Sequence, residues 1–204
     1  MRGNVDRRIM RTKKAIREAL ITLIEEKGFD ALSVKDITSR ANINRGTFYL
    51  HYKDKYDLLD RTVEEVIHDI ESILLEITTL ADIDVVNGKP PLSIVVKLFD
   101  YFKANAPLMQ AILTTKGNNA LQIPIKKTMW HHLFEKNRAP FLKKEKLLVP
   151  AEYLIFYIAA AHFGVIQEWL DRGCREAPEV MAKILTNITF GGPLFAAGLG
   201  SNRY

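Results

Sequence analysis

Residues 33–53 read SVKDITSRANINRGTFYLHYK, and their order decides the fold. Ser33 with Asp36 three residues later is close to a capping box, which starts a short helix by satisfying its first free N–H groups. That helix sets Val34, Ile37 and Ala41 on one side. Asn42 tolerates the left-handed turn that closes such a helix. Asn44 is the next N-cap and opens a second short helix over residues 45–51. Two short capped helices joined by a tight turn form a helix-turn-helix. In this arrangement Ile37, Ala41, Ile43 and Phe48 face inward, Phe48 and Tyr52 are core, and Arg45, Tyr49 and Leu50 fall on the open side. Gly46 leaves room for a sugar-phosphate backbone at the helix start.

Working outward, Ile16, Leu20, Leu23 and Ile24 form one apolar stripe at helical spacing. Gly28 is a C′ stop for that helix, after which Phe29 and Leu32 fold back on the stripe. Downstream, Asp54 caps a long helix from Lys55 to around Thr79, with Leu59, Val63, Val66, Ile70, Ile73 and Ile77 as its buried stripe. Residues 82–92 read as a loop, with Asn87-Gly88 and Pro90-Pro91. Helical spacing resumes over 93–103, 108–114 and 125–136, and Pro140 and Pro150 bracket a basic connector. Residues 152–172 are apolar nearly all the way round, so this helix is buried on more than one side. Pro178 suits the first turn of a last helix carrying Val180, Met181, Ile184, Leu185 and Ile188. The Gly-rich tail from residue 191 receives no assignment. The expected fold class is all-α.

Charge is distributed unevenly. The chain carries a net +5, and residues 1–60 hold 13 Lys/Arg against 9 Asp/Glu. Residues 1–17 hold seven bases and one acid, Asp6. A basic end on a near-neutral body is the footprint of a polyanionic partner, nucleic acid or anionic membrane. No run of about 18 apolar residues suggests a membrane span, and the N-terminus lacks the apolar stretch of a signal peptide. The single cysteine, Cys174, excludes an internal disulfide and suits a reducing cytoplasm. Metal-ligand spacings, nucleophile motifs and phosphate loops are all missing, so neither catalysis, metal nor cofactor is expected.

The stretch from Phe29 through Gly46-Thr47-Phe48-Tyr49, Tyr52-Lys53-Asp54-Lys55 and Leu58-Leu59 closely resembles the N-terminal domain of TetR-family regulators. The segment 164–185 also resembles the C-terminal region of a subgroup that includes dihydroxyacetone-kinase regulators. The resemblance implies a three-helix DNA-binding domain over 1–55 and, over 56–204, a helical bundle forming a ligand pocket and a dimer interface. It implies double-stranded DNA as partner, in a palindromic operator, and a homodimer whose two recognition helices enter successive major grooves. DNA contacts would come from Lys35, Asn44, Arg45, Gly46, Thr47, Tyr49, Leu50, His51 and Lys55. Arg45 suits a bidentate contact with guanine, Leu50 a thymine methyl, and Lys55 a phosphate at a helix N-terminus. Arg7, Arg8 and Arg11 would add phosphate or minor-groove contacts. The helices around 153–170 and 178–190 are the candidate dimer interface. An effector pocket would draw on Phe99, Phe102, Met109, Trp130, Phe134, Tyr157, His162 and Trp169. Three readings stay open: a repressor released by a small apolar or amphipathic ligand, a regulator or activator controlled by a protein partner, and a helical lipid-binding carrier.

Overall fold

The computed structural model describes residues 2–75, 92–114, 127 and 147–198. Among these residues every regular element is an α-helix: α1 (Arg2–Lys27), α2 (Val34–Arg40), α3 (Arg45–Tyr49), α4 (Lys55–Leu75), α5 (Leu92–Ala104), α6 (Ala106–Thr114), α7 (Ala151–Asp171) and α8 (Pro178–Ala196). The all-α expectation is met. The expected helix over 125–136, and with it Trp130 and Phe134, lies outside the described residues apart from Lys127. Two compact units divide the chain: residues 1–66 with 107–120, and residues 67–106 with 121–204.

The first unit is built on α1. Ile16, Ala19, Leu20, Leu23 and Ile24 are buried at the expected spacing. Gly28 closes the helix at φ +77°, a conformation that costs glycine almost nothing, with its N–H donating to the Ile24 carbonyl at 2.8 Å. Phe29 and Leu32 then turn back into the core. The capping box at α2 is complete. The Asp36 carboxylate accepts from the Ser33 N–H at 2.8 Å and from the Ser33 hydroxyl at 2.7 Å. It also pairs with Lys27 at 2.9 Å, tying the end of α1 to the start of α2.

Those donors hold the Asp36 carboxyl far below its ordinary value of 3.8, the Lys27 ammonium first among them and the Ser33 groups next. A carboxyl depressed in the fold contributes stability above its unfolded pKa and loses that contribution as pH falls through the folded one. Asp36→Asn is therefore expected to lower the urea midpoint at neutral pH. The gap from wild type should close as pH drops below about 4. Parallel urea titrations of both proteins across pH check this; a gap independent of pH would show that the charge contributes nothing.

In the second unit α8 packs on α5 and α7. Phe99, Phe102, Ile155, Ala159, Phe163, Ile166, Leu170 and Leu185 line its core around Trp169, which is 2% exposed. The Trp169 indole N–H donates to the Glu176 carbonyl at 3.2 Å, and the Phe99 ring meets it edge-on at 5.1 Å. By length and a mean hydropathy of 1.2, α7 is long and apolar enough to cross a bilayer, although no run in the sequence suggested it. Its apolar surface is split between an inner stripe and an outer one that carries Tyr153, Phe156 and Tyr157.

The last helix runs further than its periodicity indicates. It passes through Gly191, Gly192 and Pro193 with a kink at Gly192, where φ is +80°. A side chain at Gly191 would collide with the Phe195 ring. Gly192 thus interrupts the helix, and Pro193 opens a further helical segment beyond it.

Candidate nucleic-acid interface

The recognition element is held from beneath. Ile37 on α2 and Phe48 on α3 are both 0% exposed, and the Phe48 ring lies 5.5 Å from Tyr49 and 5.6 Å from Tyr52. Asn42 takes the left-handed turn at φ +51°, and the Ile43 N–H donates back to the Thr38 carbonyl at 3.0 Å. Asn44 caps α3 by accepting from the Gly46 N–H at 3.1 Å. The regular helix ends at Tyr49 rather than His51, and one more turn follows: the His51 and Tyr52 N–H groups both donate to Phe48.

Above this support stands an exposed face. Tyr49 is 47% and Leu50 80% exposed, with Asn44, Arg45 and Gly46 beside them in solvent and Thr47 and His51 half-buried. The Arg45 guanidinium donates through Nε and Nη2 to the Tyr49 hydroxyl at 3.3 and 3.1 Å and lies 5.5 Å from the ring centroid. Because that oxygen accepts from Arg45, the Tyr49 O–H proton points elsewhere and is left to donate to a phosphate oxygen. A Cβ at Gly46 would meet only Asn44 Oδ1, at 3.8 Å. The protein's own packing therefore does not demand glycine there, whereas close approach by a partner would.

The cations of this unit sort into two groups. Arg40 pairs with Glu26 at 2.6 Å, Arg17 with Glu65 at 2.8 Å, and Arg61 with Asp57 at 3.0 Å. Lys35 and Lys53 are exposed, and among the described residues none of the ion pairs holds them. Lys53, adjoining the recognition element, is the basic residue that helical patterning passed over because it lies beyond α3.

Lys55 departs from its expected place. Its ammonium donates to the carbonyls of Phe29, Asp30 and Leu32 at 3.1, 3.0 and 3.0 Å, under the rings of Phe29 and Tyr56 at 5.0 and 5.3 Å. All three ammonium N–H groups are committed inside the protein. The helix start it was to share with phosphate is also taken: the Asp54 carboxylate accepts from the Tyr56 and Asp57 N–H groups, both at 2.8 Å.

Comparison with known proteins agrees with this geometry. The family model described as "Bacterial regulatory proteins, tetR family" matches residues 16–62, the span of the capped helix pair and its support. A second, "Transcriptional regulator C-terminal region" of the same family, matches residues 90–191, half of the chain. The chain belongs to the TetR family. Among its relatives it is 25% identical over 184 residues to the HTH-type transcriptional regulator YxbF of Bacillus subtilis, covering 88% of this chain and 44% of YxbF. It is 33% identical over 63 residues to IcaR of Staphylococcus epidermidis, a negative transcriptional regulator of a biofilm operon, covering 31% of this chain and 34% of IcaR. The chain thus spans less than half the length of either relative. A solved structure, the transcriptional regulator FadR of Bacillus subtilis in complex with stearoyl-CoA, superposes with a TM-score of 0.61 at 18% identity, covering 88% of this chain and 98% of FadR.

For a TetR-family C-terminal region, the candidate effector residues are dispersed. Phe99 and Phe102 are buried with ring centroids 6.1 Å apart, and Trp169 joins them. Met109 is buried too, but it belongs to the first compact unit. Tyr157 is 58% exposed on the outer stripe of α7. His162 bonds through Nε2 to the Thr189 hydroxyl at 2.9 Å. That hydroxyl already donates to the Leu185 carbonyl at 2.7 Å, so Nε2 carries the proton. Burial pushes the His162 pKa down, which favours the neutral ring.

Proposed function

We propose that this TetR-family chain is a sequence-specific DNA-binding transcriptional regulator that acts as a homodimer in the cytoplasm. It represses until an apolar or amphipathic small molecule binds its second unit. The observation that carries the DNA-reading part is the Arg45–Tyr49–Leu50 face, exposed on a short helix whose opposite side is anchored by the fully buried Phe48. A positively charged fork, a hydroxyl with a free proton and an apolar tip are what a guanine edge, a phosphate and a thymine methyl require. Catalysis and cofactors have no part in this reading.

Exposed apolar residues of the second unit support the dimer. Tyr153, Phe156 and Tyr157 on α7 and Val180, Ile184 and Leu194 on α8 are exposed apolar residues. The His162–Thr189 bond joins the two helices, which pack on one another. Two copies meeting through these helices would bury that surface in a four-helix interface. The ligand class is supported by the apolar character of the second unit, where Phe99 packs edge-on against Phe102 and Trp169, and by FadR, a fold neighbour crystallised with stearoyl-CoA. Repression is supported by IcaR, named as a negative regulator. Release requires that the effector bind one conformational state more tightly than the other.

Selection from a random duplex library tests the reading. Wild type is expected to enrich a palindrome. Arg45→Ala is expected to lose discrimination at one base pair in each half-site, by about 1–3 kcal/mol, or roughly 5- to 150-fold. Binding without sequence preference would remove the regulator reading altogether.

A further inference from the structure

Arg45 and Tyr49 stand four residues apart on α3, the spacing that puts two side chains on one face of a helix. Their contact is specific. The Tyr49 oxygen lies on the Nε–Nη2 edge of the Arg45 guanidinium, at 3.3 and 3.1 Å, and takes both donors into one acceptor. The guanidinium carbon is 5.5 Å from the centre of the tyrosine ring, within reach of a cation–π attraction. That ring is in turn fixed edge-on against Phe48 at 5.5 Å, and Phe48 is fully buried. A line of contacts therefore runs from the core of the first unit through Tyr49 to the tip of Arg45.

A donor count shows what this leaves for a base. A guanidinium carries five N–H bonds in a fixed fork. Tyr49 takes one from Nε and one from Nη2, which leaves the second Nη2 bond and both Nη1 bonds. A bidentate contact with guanine O6 and N7 needs two parallel donors, and the Nη1–Nη2 end supplies them without breaking either bond to tyrosine. The partner's neutrality matters as much. Arg17, Arg40 and Arg61 are each held by a carboxylate, which offsets the charge it fixes. At a DNA-reading position a carboxylate would also repel phosphate. A phenol holds the fork and leaves the positive charge whole.

We infer that Tyr49 is a positioning residue for Arg45, presenting the Nη1–Nη2 end of its fork to a guanine edge. The inference rests on the DNA-binding reading above, and it adds a specificity role to a residue given there only a phosphate. An exposed arginine gives up rotamer freedom when it is fixed on a base, and a fork already held in the free protein gives up less. The two roles suit one hydroxyl. Its oxygen accepts from Arg45 while its proton is donated to phosphate, and hydrogen bonds linked in this way strengthen one another. Docking on the sugar-phosphate backbone thus firms the grip on the side chain that reads the base.

The test compares binding to the selected palindrome with binding to a duplex in which the Arg45-dependent base pair is exchanged, for wild type, Tyr49→Phe, Arg45→Ala and the double variant. The ratio of the two affinities is the readout. A lost phosphate contact weakens both duplexes alike and cancels in the ratio, as does any change in the folded fraction. Tyr49→Phe keeps the ring and removes only the hydroxyl. It is expected to cut the ratio about 2- to 12-fold, the worth of one hydrogen bond. Preferences at the other base pairs should stay, and the hydroxyl should make no further difference to the ratio once Arg45 is alanine. An unchanged ratio, with weaker binding to both duplexes, would leave Tyr49 a phosphate contact only and overturn the inference. A ratio that rises would overturn it as well, by making the tyrosine a latch that Arg45 must escape. So would an equal loss in the Arg45→Ala background, which would make Tyr49 itself the base reader. If wild type selects no palindrome, the regulator reading falls and the inference with it, an outcome separate from any difference between variants.

Discussion

Replacing Phe48 with alanine is expected to lower unfolding stability by about 3–5 kcal/mol, the range for deleting a buried aromatic ring. Phe48 is 0% exposed, and its ring is the floor on which Tyr49 and Tyr52 rest. The His51 and Tyr52 N–H groups both donate to its backbone carbonyl, which alanine keeps, so the expected loss is that of the ring alone. Against a total of about 5–15 kcal/mol for an ordinary domain, such a loss is large. Urea unfolding followed by circular dichroism measures it, alongside duplex affinity. Affinity should fall with stability, because a recognition helix without its anchor no longer holds Arg45 and Tyr49 in register. A loss under about 1 kcal/mol would mean that α3 is positioned by its caps rather than by its core residue.

The second large effect concerns the outer face of α7. Tyr157→Glu is expected to give a monomer by sedimentation and to lower affinity for the palindromic duplex by about 10²–10⁴-fold, the typical gain from linking two binding modules. Tyr157 is 58% exposed in the single chain, so the folded protomer itself should be little affected. An acid on each protomer would be desolvated in the proposed interface, and that cost is what breaks the association. A dimer that survives the substitution would move the interface away from this face.

Much of the first unit was legible because its signals are local. The Ser33–Asp36 box, the Asn42 turn, the Asn44 cap and the Gly28 stop each depend on residues within four positions of one another. The buried stripe of α1 needed only the helical period. Lys55 was not legible, because its partners are backbone carbonyls 23 to 26 residues away, and no side-chain pattern announces a carbonyl. The extension of α8 was missed for a different reason. Gly-Gly-Pro ordinarily stops a helix, and here Gly192 leaves the helical conformation, but a further helical segment follows from Pro193 to Ala196. The candidate effector residues share little beyond their residue type. Type does not distinguish the buried Phe99 from the exposed Tyr157 on another helix of the same unit.

The lysine clasp at the start of α4 bears on how tolerant this position is to change. Three carbonyl oxygens converge on a single nitrogen, and a tetrahedral ammonium offers three N–H bonds that fan out from one point. A guanidinium is flat, and its donors are spread over three nitrogens in one plane. An arginine at residue 55 would keep the charge and both aromatic neighbours, yet its planar group cannot direct three bonds into one pyramid of oxygens. A substitution matrix would score the exchange as mild. Stereochemistry makes it a change of function, since what the position selects is the shape of the donor rather than its sign.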